Sequence, residues 1–220
     1  MAETAALAHI NGLRGVRRSP ASHLATAFES GSVPGTVELK EIPFQTMVGI
    51  RATPGTSAGD RIASVIGRLP GTCGEVGGRG PGISDRGSEG VAVLWLGPTE
   101  FLVVAPESAH DSLGGDLIQA LGEALADSEG QVVDLSANRT TFELSGQRAR
   151  AVLEKGCSLD LHARTFAPGT ALATEIGHIP TMLLKTGEET FRVFPRASFA
   201  DFLGRWILDA MREFASPEVP

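Results

Sequence analysis

Residues 91–104, VAVLWLGPTEFLVV, contain two short apolar runs on either side of the tetrapeptide Gly97-Pro98-Thr99-Glu100. Glycine and proline favour a tight turn at such a junction, whereas the flanking Val, Leu and Phe residues fit the pleated surface of a strand. We therefore predict a β-hairpin that joins Val91–Leu96 to Phe101–Val104.

Residues 181–194, TMLLKTGEETFRVF, show the same arrangement around the turn Lys185-Thr186-Gly187-Glu188. The two hairpins align at an offset of 90 residues, which pairs Phe101 with Phe191 and Ser108 with Ser198. This match predicts that the chain contains two halves of similar structure.

Helical and extended patterns surround each hairpin. In the first half we predict a strand at Phe44–Arg51, a helix capped by Ser57, the hairpin, and a helix whose buried face carries Leu113, Leu117, Leu121 and Leu125. In the second half we predict strands at Val132–Ser136 and Thr140–Leu144, a helix between Ser145 and Gly156, and the hairpin. The last helix opens with Ser198 and Asp201, an acidic variant of the capping box, and its inward residues are Phe199, Phe202, Leu203, Trp206, Ile207, Ala210, Met211 and Phe214.

Each half thus follows the order strand, helix, strand, strand, helix, which predicts an α+β fold with helices on one face of each sheet. We assign this fold to residues 36–215, with halves at about 36–128 and 129–215, followed by a short tail at 216–220. Residues 1–35 are rich in Ala, Ser and Gly, so we predict an N-terminal arm that lies outside the core and becomes ordered on a partner. The alternative is a helix from Ser19 to Phe28 that packs on the core.

The composition excludes several classes of protein. With 19 basic and 26 acidic residues, the net charge of −7 gives no electrostatic attraction to nucleic acid or to an anionic membrane. Cys73 and Cys157 are too far apart in sequence for a CxxC pair, which fits a reducing compartment. No apolar stretch is long enough for a secretion signal or a membrane span, so we expect a cytoplasmic protein.

Residues 71–90, GTCGEVGGRGPGISDRGSEG, lack the Gly-Lys-Ser/Thr ending of a phosphate loop and the GxGxxG pattern of a dinucleotide site. We predict a surface loop there. Cys157 and His162 lie close enough in sequence to suggest a nucleophile and its base, but a cysteine directly after a helix-ending glycine more often packs in a core. His178 has apolar neighbours, which favours a structural role, and no histidine spacing fits a metal site. We therefore expect no catalytic, cofactor-binding or metal-binding residue in this chain.

Arginines are the strongest candidates for contacts with another protein, because a guanidinium can hold a carboxylate through two hydrogen bonds. Two stretches carry them, the arm and the second half of the chain. We predict partner contacts by Arg14, Arg17, Arg18, Arg139 and Arg164.

Residues 132–161, VVDLSANRTTFELSGQRARAVLEKGCSLDL, resemble the folate-binding aminomethyltransferase family, which includes the glycine-cleavage T-protein. The shared elements are Asp134-Leu135-Ser136, the apolar strand that ends at Leu144, Ser145-Gly146, and Ala149 with Val152-Leu153. Three further stretches resemble the gamma subunits of heterotetrameric sarcosine oxidases, namely Trp95–Val104, Lys155–His162 and Arg196–Leu203, which leads into Trp206. The resemblance extends over about residues 40–215 and implies the fold of the N-terminal folate-binding domain of T-protein.

The resemblance implies a structural, non-catalytic gamma subunit. The complex of that family demethylates sarcosine oxidatively to glycine and hydrogen peroxide, and it passes the one-carbon unit to tetrahydrofolate or releases it as formaldehyde. The implied partners are alpha, beta and delta subunits, with FAD, FMN and NAD in the larger subunits and zinc in the delta subunit.

One residue departs from the T-protein pattern. Many T-protein relatives have His directly after the Asp-Leu-Ser turn, whereas this chain has Ala137, which argues against folate binding by this chain. The alternative is a stand-alone folate-binding protein of the iron–sulfur-maintenance type, which would share Lys155-Gly156-Cys157 but continue with Gly-Gln-Glu instead of Ser-Leu-Asp. A catalytic aminomethyltransferase is the third possibility.

Overall fold

The structure is a computed structural model that describes residues 16–79, 90–110 and 116–215. Arg14, the tail at 216–220 and part of the glycine-rich segment lie outside the described residues. In the described part, the α-helices are α1 (Ala25–Gly31), α2 (Ser57–Ile66), α3 (Asp116–Leu125), α4 (Ala149–Glu154) and α5 (Ala200–Ala215). Short 3₁₀ turns cover Ser22–Leu24, Glu107–His110 and Ala197–Phe199.

The strands form one antiparallel sheet. They are β1 (Glu38–Glu41), β2 (Thr46–Arg51), β3 (Gly74–Arg79), β4 (Val91–Gly97), β5 (Glu100–Ala105), β6 (Gln131–Asp134), β7 (Phe142–Ser145), β8 (Thr170–Ile176), β9 (Ile179–Gly187) and β10 (Thr190–Pro195). Their order across the sheet is β1-β7-β10-β9-β8-β3-β4-β5-β2-β6. We call the first five strands of this order the C-terminal half-sheet and the last five the N-terminal half-sheet. The two half-sheets meet at only two residue pairs, Gly74 with Ala171 and Glu75 with Thr170.

Three groups of buried side chains hold the layers together. Helices α2 and α3 cover one face of the N-terminal half-sheet, where Ile62 and Leu121 belong to the same cluster as Val48 and Phe101. Helices α1, α4 and α5 cover one face of the C-terminal half-sheet in a second cluster, which includes Phe28, Phe142, Leu153, Phe191 and Ile207. A third cluster joins the remaining faces of the two half-sheets and includes Met47, Leu94, Leu102, Met182, Leu184 and Phe194.

The sheet is therefore curled, with its two halves facing each other across the third cluster and the helices outside. This arrangement confirms the predicted α+β fold, with helices on one face of each half-sheet. Both predicted hairpins are present, as β4 with β5 and as β9 with β10. None of the helices in the described residues has the length and apolar character needed to cross a membrane.

The predicted unit of strand, helix, strand, strand, helix contains three strands, whereas each half of the structure contains five. Strand β3 lies between α2 and the first hairpin, and β8 lies between α4 and the second. Strand β3 occupies part of the segment predicted as a glycine-rich loop. Gly77 and Gly78 are needed there because a Cβ on either one would collide with the backbone, at Arg68 and at Val91 respectively. Glycine is uncommon in strands, so the composition of this segment did not predict strand β3.

The prediction of an arm outside the core is wrong for residues 21–35. Ala21, Leu24 and Phe28 are buried in the second cluster, and the Phe28 ring meets the Phe142 ring edge-on with centroids 5.6 Å apart. Leu24 and Phe28 are four residues apart, so they lie on one face of a helix. This apolar stripe is only two turns long, too short to stand out among small residues. The alternative of a helix packed on the core is the correct one, although α1 begins at Ala25.

Two predicted helix starts also differ in detail. The side chain of Thr56, rather than Ser57, caps α2 by accepting a hydrogen bond from the Gly59 backbone N–H at 3.2 Å. Ser198 and Asp201 do not form a capping box. Ser198 lies inside the 3₁₀ turn that precedes α5, and Asp201 holds other partners described below.

Candidate partner-binding surface

The residues considered for chemistry are spread over several elements. Cys157 is buried in the second cluster, with its Sγ 3.6 Å from the Thr174 hydroxyl. His162 is exposed, and its Nδ1 accepts a hydrogen bond from the Arg164 backbone N–H at 3.2 Å. His178 is also exposed, at a positive φ of 67° in the turn between β8 and β9. Within the described ranges, no group of three or more His, Cys, Asp or Glu side chains could hold a metal ion.

The predicted arginines have different surroundings. The Arg17 guanidinium forms an ion pair with Glu107 and lies over the Phe44 ring, 4.4 Å from its centroid, so it is used within the chain. Arg18 and Arg164 are exposed. Arg139 is half-buried, and its Nη1 donates a hydrogen bond to the Phe194 carbonyl at 2.8 Å. These arginines therefore do not form one cluster.

A second arginine lies beside Arg139. Arg139 and Arg196 form an isolated antiparallel β-bridge, which brings the turn after β6 against the end of β10. Burial, and then the positive charge of Arg196, lower the pKa of Arg139 from its ordinary value. Both effects disfavour the charged form of Arg139. Arg196 was not among the predicted partner contacts.

Two exposed phenylalanines lie three and six residues after Arg196. Phe199 is 38% exposed and Phe202 is 52% exposed. They were predicted to face inward on the last helix, and this prediction is wrong. The buried face of α5 consists instead of Ala200, Leu203, Gly204, Ile207, Ala210 and Met211. The predicted apolar stripe was wider than one helix can bury, and its two outer residues at the start of the helix remain in solvent.

We call Arg139, Arg196, Phe199 and Phe202 the Arg–Phe patch. Hydrogen bonds fix its backbone, since the Ala197 N–H donates to the Asn138 carbonyl at 2.8 Å and the Phe199 N–H donates to the Arg196 carbonyl at 2.9 Å. The patch is therefore built on ordered elements of the C-terminal half.

Asp201 attaches the N-terminal segment beside this patch. Its carboxylate lies 2.7 Å from His23 Nε2 and accepts a hydrogen bond from Arg205 Nε at 2.9 Å. The hydrogen bond with His23 is the largest cause of the lowered pKa of Asp201, and the hydrogen bond from Arg205 is the next. Because these two groups already occupy Asp201, it does not neutralise the patch arginines.

A groove of about 570 Å³ lies on the other side of α1, between this helix and the edge strand β1. Phe28, Leu39 and Ala21 contribute apolar surface, and Glu29 and Glu38 contribute acidic surface. Glu41 closes one end, where it accepts hydrogen bonds from the Ser19 and Thr140 hydroxyls, each at 2.5 Å. These bonds tie the N-terminal segment to the sheet.

Comparison with known proteins shows what this chain is related to. Residues 83–213, more than half of the chain, match the model of the sarcosine oxidase, gamma subunit family. The chain belongs to this family. It is 49% identical over 205 residues to the sarcosine oxidase subunit gamma of Corynebacterium sp. (strain P-1), a match that covers 93% of this chain and 94% of the relative. Over the same length it is 48% identical to the subunit of that name from an Arthrobacter species.

Solved structures agree with this membership. A chain of the heterotetrameric sarcosine oxidase from Corynebacterium sp. U-96, in complex with pyrrole 2-carboxylate, has a TM-score of 0.83 and 43% identity, over 93% of this chain and 100% of that chain. Aminomethyltransferase T of the glycine cleavage system from Bartonella henselae has a TM-score of 0.60 at 14% identity, over 86% of this chain and 49% of that chain. The similarity to aminomethyltransferase T shows only that the two chains share a fold. The resemblance to sarcosine oxidase gamma subunits seen in the sequence is thus confirmed.

Proposed function

We propose that this gamma-family chain is a structural subunit of a heterotetrameric sarcosine oxidase. The observation that carries this proposal is its match, over 100% of that chain and at 43% identity, to a subunit of the Corynebacterium sp. U-96 oxidase. The assembled enzyme oxidatively demethylates sarcosine to glycine and hydrogen peroxide, and it transfers the one-carbon unit to tetrahydrofolate or releases formaldehyde.

The partners in this proposal are an alpha, a beta and a delta subunit in the cytoplasm. FAD, FMN and NAD are held by the larger subunits, and zinc by the delta subunit. The catalytic work then belongs to the partners, and this chain contributes binding surface.

The match to T-protein does not carry folate chemistry to this chain, since a shared fold does not specify function. Ala137, where many T-protein relatives have His, is exposed in the turn after β6. Its methyl group can neither donate nor accept a hydrogen bond. This observation disfavours the alternative of a stand-alone folate-binding protein.

We also propose that the chain is an internal repeat with halves at about 36–128 and 129–215. The offset of 90 residues between the hairpins and the strand orders β6-β2-β5-β4-β3 and β1-β7-β10-β9-β8 support this proposal. Arg18 and Arg164, which are exposed, join Arg139 as proposed partner contacts. Arg14 and Arg17 belong to the same proposal, although Arg17 is paired with Glu107 within the chain.

Co-expression with the other oxidase subunits tests this function. We expect the chain to purify with a tagged large subunit in equal stoichiometry, and sarcosine to yield hydrogen peroxide from that complex. A matched preparation of this chain alone should lack flavin absorbance and should give no heat of binding with tetrahydrofolate. Stoichiometric folate binding by the isolated chain, with no association with the large subunits, would instead favour the stand-alone alternative.

A further inference from the structure

We infer that the Arg–Phe patch docks this chain on a larger subunit, at a site where that subunit presents a carboxylate beside an apolar pocket. This inference rests on the proposed function, and it specifies which surface binds and what chemistry it binds. The carboxylate would lie between Arg139 and Arg196, and the pocket would receive Phe199 and Phe202.

Within the described residues, no carboxylate compensates the charge of the patch. Half of the arginines in the described ranges have a carboxylate within 4.0 Å, namely Arg17, Arg51, Arg68, Arg150, Arg192, Arg205 and Arg212. Arg139 is half-buried beside Arg196, and among the described residues neither has a carboxylate at that distance. Arg139 is half-buried and Arg196 is exposed, and two such neighbouring cations attract an anion, for which the guanidinium geometry fits a carboxylate in particular.

The apolar part of the patch has the composition of a binding centre. Across the described ranges, the exposed large apolar side chains are Val16, Leu96, Val133, Phe199 and Phe202, so the two aromatic ones lie within one turn of each other. Residues three apart project from the same side of a helical segment. Phenylalanine and arginine are enriched at protein interfaces, and arginine in particular among the residues that dominate binding energy.

The patch requires little rearrangement before it binds. Backbone hydrogen bonds hold the turn that carries Arg196 and Phe199, and Arg205 and His23 hold Asp201 in the first turn of α5. An ordered surface loses less conformational entropy on association than a loose one. All four residues also lie within residues 83–213, the range that matches the gamma family.

A different subunit fits the patch better than a second copy of this chain. In a two-fold symmetric dimer the same surface faces itself. Arg139 and Arg196 of one copy would then face the same arginines of the other, with no carboxylate supplied. Charge complementarity therefore favours a partner that is acidic at this position.

The test uses the co-expressed complex, with the affinity tag on a large subunit. Arg139→Glu combined with Arg196→Glu should lower the amount of this chain retained per large subunit by about tenfold or more, and Phe202→Asp should do the same, as for residues at an interface centre. Arg212→Glu, on the exposed side of the same helix, and Leu96→Asp, on the other half-sheet, are the matched controls, and both should be retained within about twofold of the unmodified chain. Equal retention of the patch variants and the controls would overturn the inference while leaving the proposed function intact.

A second measurement does not depend on disrupting the complex. Cysteine is introduced by Phe202→Cys or by Leu96→Cys, each with Cys73→Ser, which removes the described exposed cysteine. In the intact complex, a maleimide should label the cysteine at position 202 about tenfold more slowly than the one at position 96, because an interface centre excludes solvent. Equal labelling rates would contradict the inference even if the charge-reversal variants fail to fold.

A shift of this chain from dimer to monomer in the patch variants, with unchanged retention, would assign the patch to self-association instead. If the unmodified chain itself fails to bind the large subunits, the proposed function fails and the docking inference fails with it.

Discussion

At corresponding positions, the two half-sheets carry side chains of different chemical character. In the N-terminal half-sheet, Val133, Gly49, Leu102 and Leu94 lie side by side across β6, β2, β5 and β4. In the C-terminal half-sheet, Lys40, Glu143, Arg192 and Leu184 lie side by side across β1, β7, β10 and β9. We call these the apolar row and the ionic row. Each begins at a sheet edge and ends in the third cluster, which contains Leu94 and Leu184.

The charged side chains of the ionic row are paired with one another, whereas the apolar row borders a groove that is open to solvent. Arg192 is 3% exposed, and its Nε donates to Glu143 at 2.9 Å, while Lys40 Nζ lies 2.8 Å from the other carboxylate oxygen. The apolar row borders a shallow groove of about 260 Å³, where Val133 is 37% exposed and Leu96 is 38% exposed. Two half-sheets with equivalent strand orders can therefore be held together by charged side chains in one case and by apolar side chains in the other. The strand order alone does not determine the chemistry of a surface.

Loss of the carboxylate should produce the largest contrast between the rows. Glu143→Ala leaves Arg192 buried without its anion, and one Arg192 nitrogen, Nη1, already has no hydrogen-bond partner among the described residues. Breaking a buried ion pair in this way destabilises a protein by about 3–5 kcal/mol. Chemical denaturation should show this loss in the free energy of unfolding. Val133→Ala in the apolar row is the control and should cost less than about 1 kcal/mol, because its side chain is already partly in water.

Replacing both members of the buried ion pair by apolar residues should make the ionic row resemble the apolar row in composition with little loss of stability. Glu143→Leu with Arg192→Met exchanges two charges for apolar side chains of similar length, so no buried charge remains, and Lys40, which loses its partner, is largely in solvent. We expect a free energy of unfolding within about 2 kcal/mol of the unmodified chain, since buried ion pairs are often replaceable by packed apolar residues. A double variant as unstable as Glu143→Ala would show that the ionic row has a packing role that apolar residues cannot fill.

The ionic row should also respond to acid. Burial would raise the pKa of Glu143, but the hydrogen bond from Lys40 and the charge of Arg192 outweigh it, and the pKa is lowered from its ordinary value. A carboxyl whose pKa is lower in the folded state stabilises the fold above its unfolded pKa, and this stabilisation is lost as the pH falls through the folded pKa. Thermal unfolding at stepped pH should show a decline below about pH 4.5, which is close to the unfolded pKa of Glu. This decline should be smaller in the Glu143→Leu, Arg192→Met variant, and equal slopes in both proteins would exclude Glu143 as its source.

The smallest effect is expected in the apolar row. A Cβ on Gly49 would lie 2.8 Å from Leu135 Cδ1, which is the mobile end of a half-buried side chain next to the groove. Leu135 can move into this open space, and alanine lowers the conformational entropy of the unfolded chain. Gly49→Ala should therefore change the melting temperature by no more than about 4 °C, which corresponds to less than about 1 kcal/mol for a chain of this size. Gly67→Ala is a matched comparison with the opposite outcome, because at a φ of 90° its Cβ would collide with the Gly78 backbone.

Local sequence signals predicted the elements that have clear boundaries. The Gly-Pro and Thr-Gly turns located both hairpins, and the spacing of Ile62 and Ile66 located α2. The same reasoning gave α1 only as an alternative and missed β3, because a two-turn apolar stripe and a glycine-rich strand give weak signals. Strand β8, TALATEI, was also missed, although its exposed and buried residues alternate for part of its length.

The candidate site could be predicted only in part. Arg139 was identified as a partner contact from its residue type, but its neighbour Arg196 is 57 positions later in the chain, and only the fold brings them together. Phe199 and Phe202 belong to an apolar pattern that predicts burial, and the position of the helix on the sheet decides that they are exposed. Whether a side chain in the first turn of a helix faces the core or the solvent depends on tertiary packing. The local periodicity of the sequence does not give this information.

The position of β1 has a consequence for the order in which the chain folds during synthesis. Strands β2 to β6 of the N-terminal half-sheet are complete once residue 134 has been made. Strand β1 comes before all of them, yet it pairs with β7, and α1 in front of it packs on α5, which ends at Ala215. Strand β1 must therefore wait, unpaired, until β7 has been made, and α1 cannot pack on α5 until nearly all of the described chain has been made. Such long-range pairing is slow, and an unpaired strand is open to wrong association while it waits. The segment from α1 to β1 is thus synthesised before the elements that it packs on and is among the last to be fixed in place.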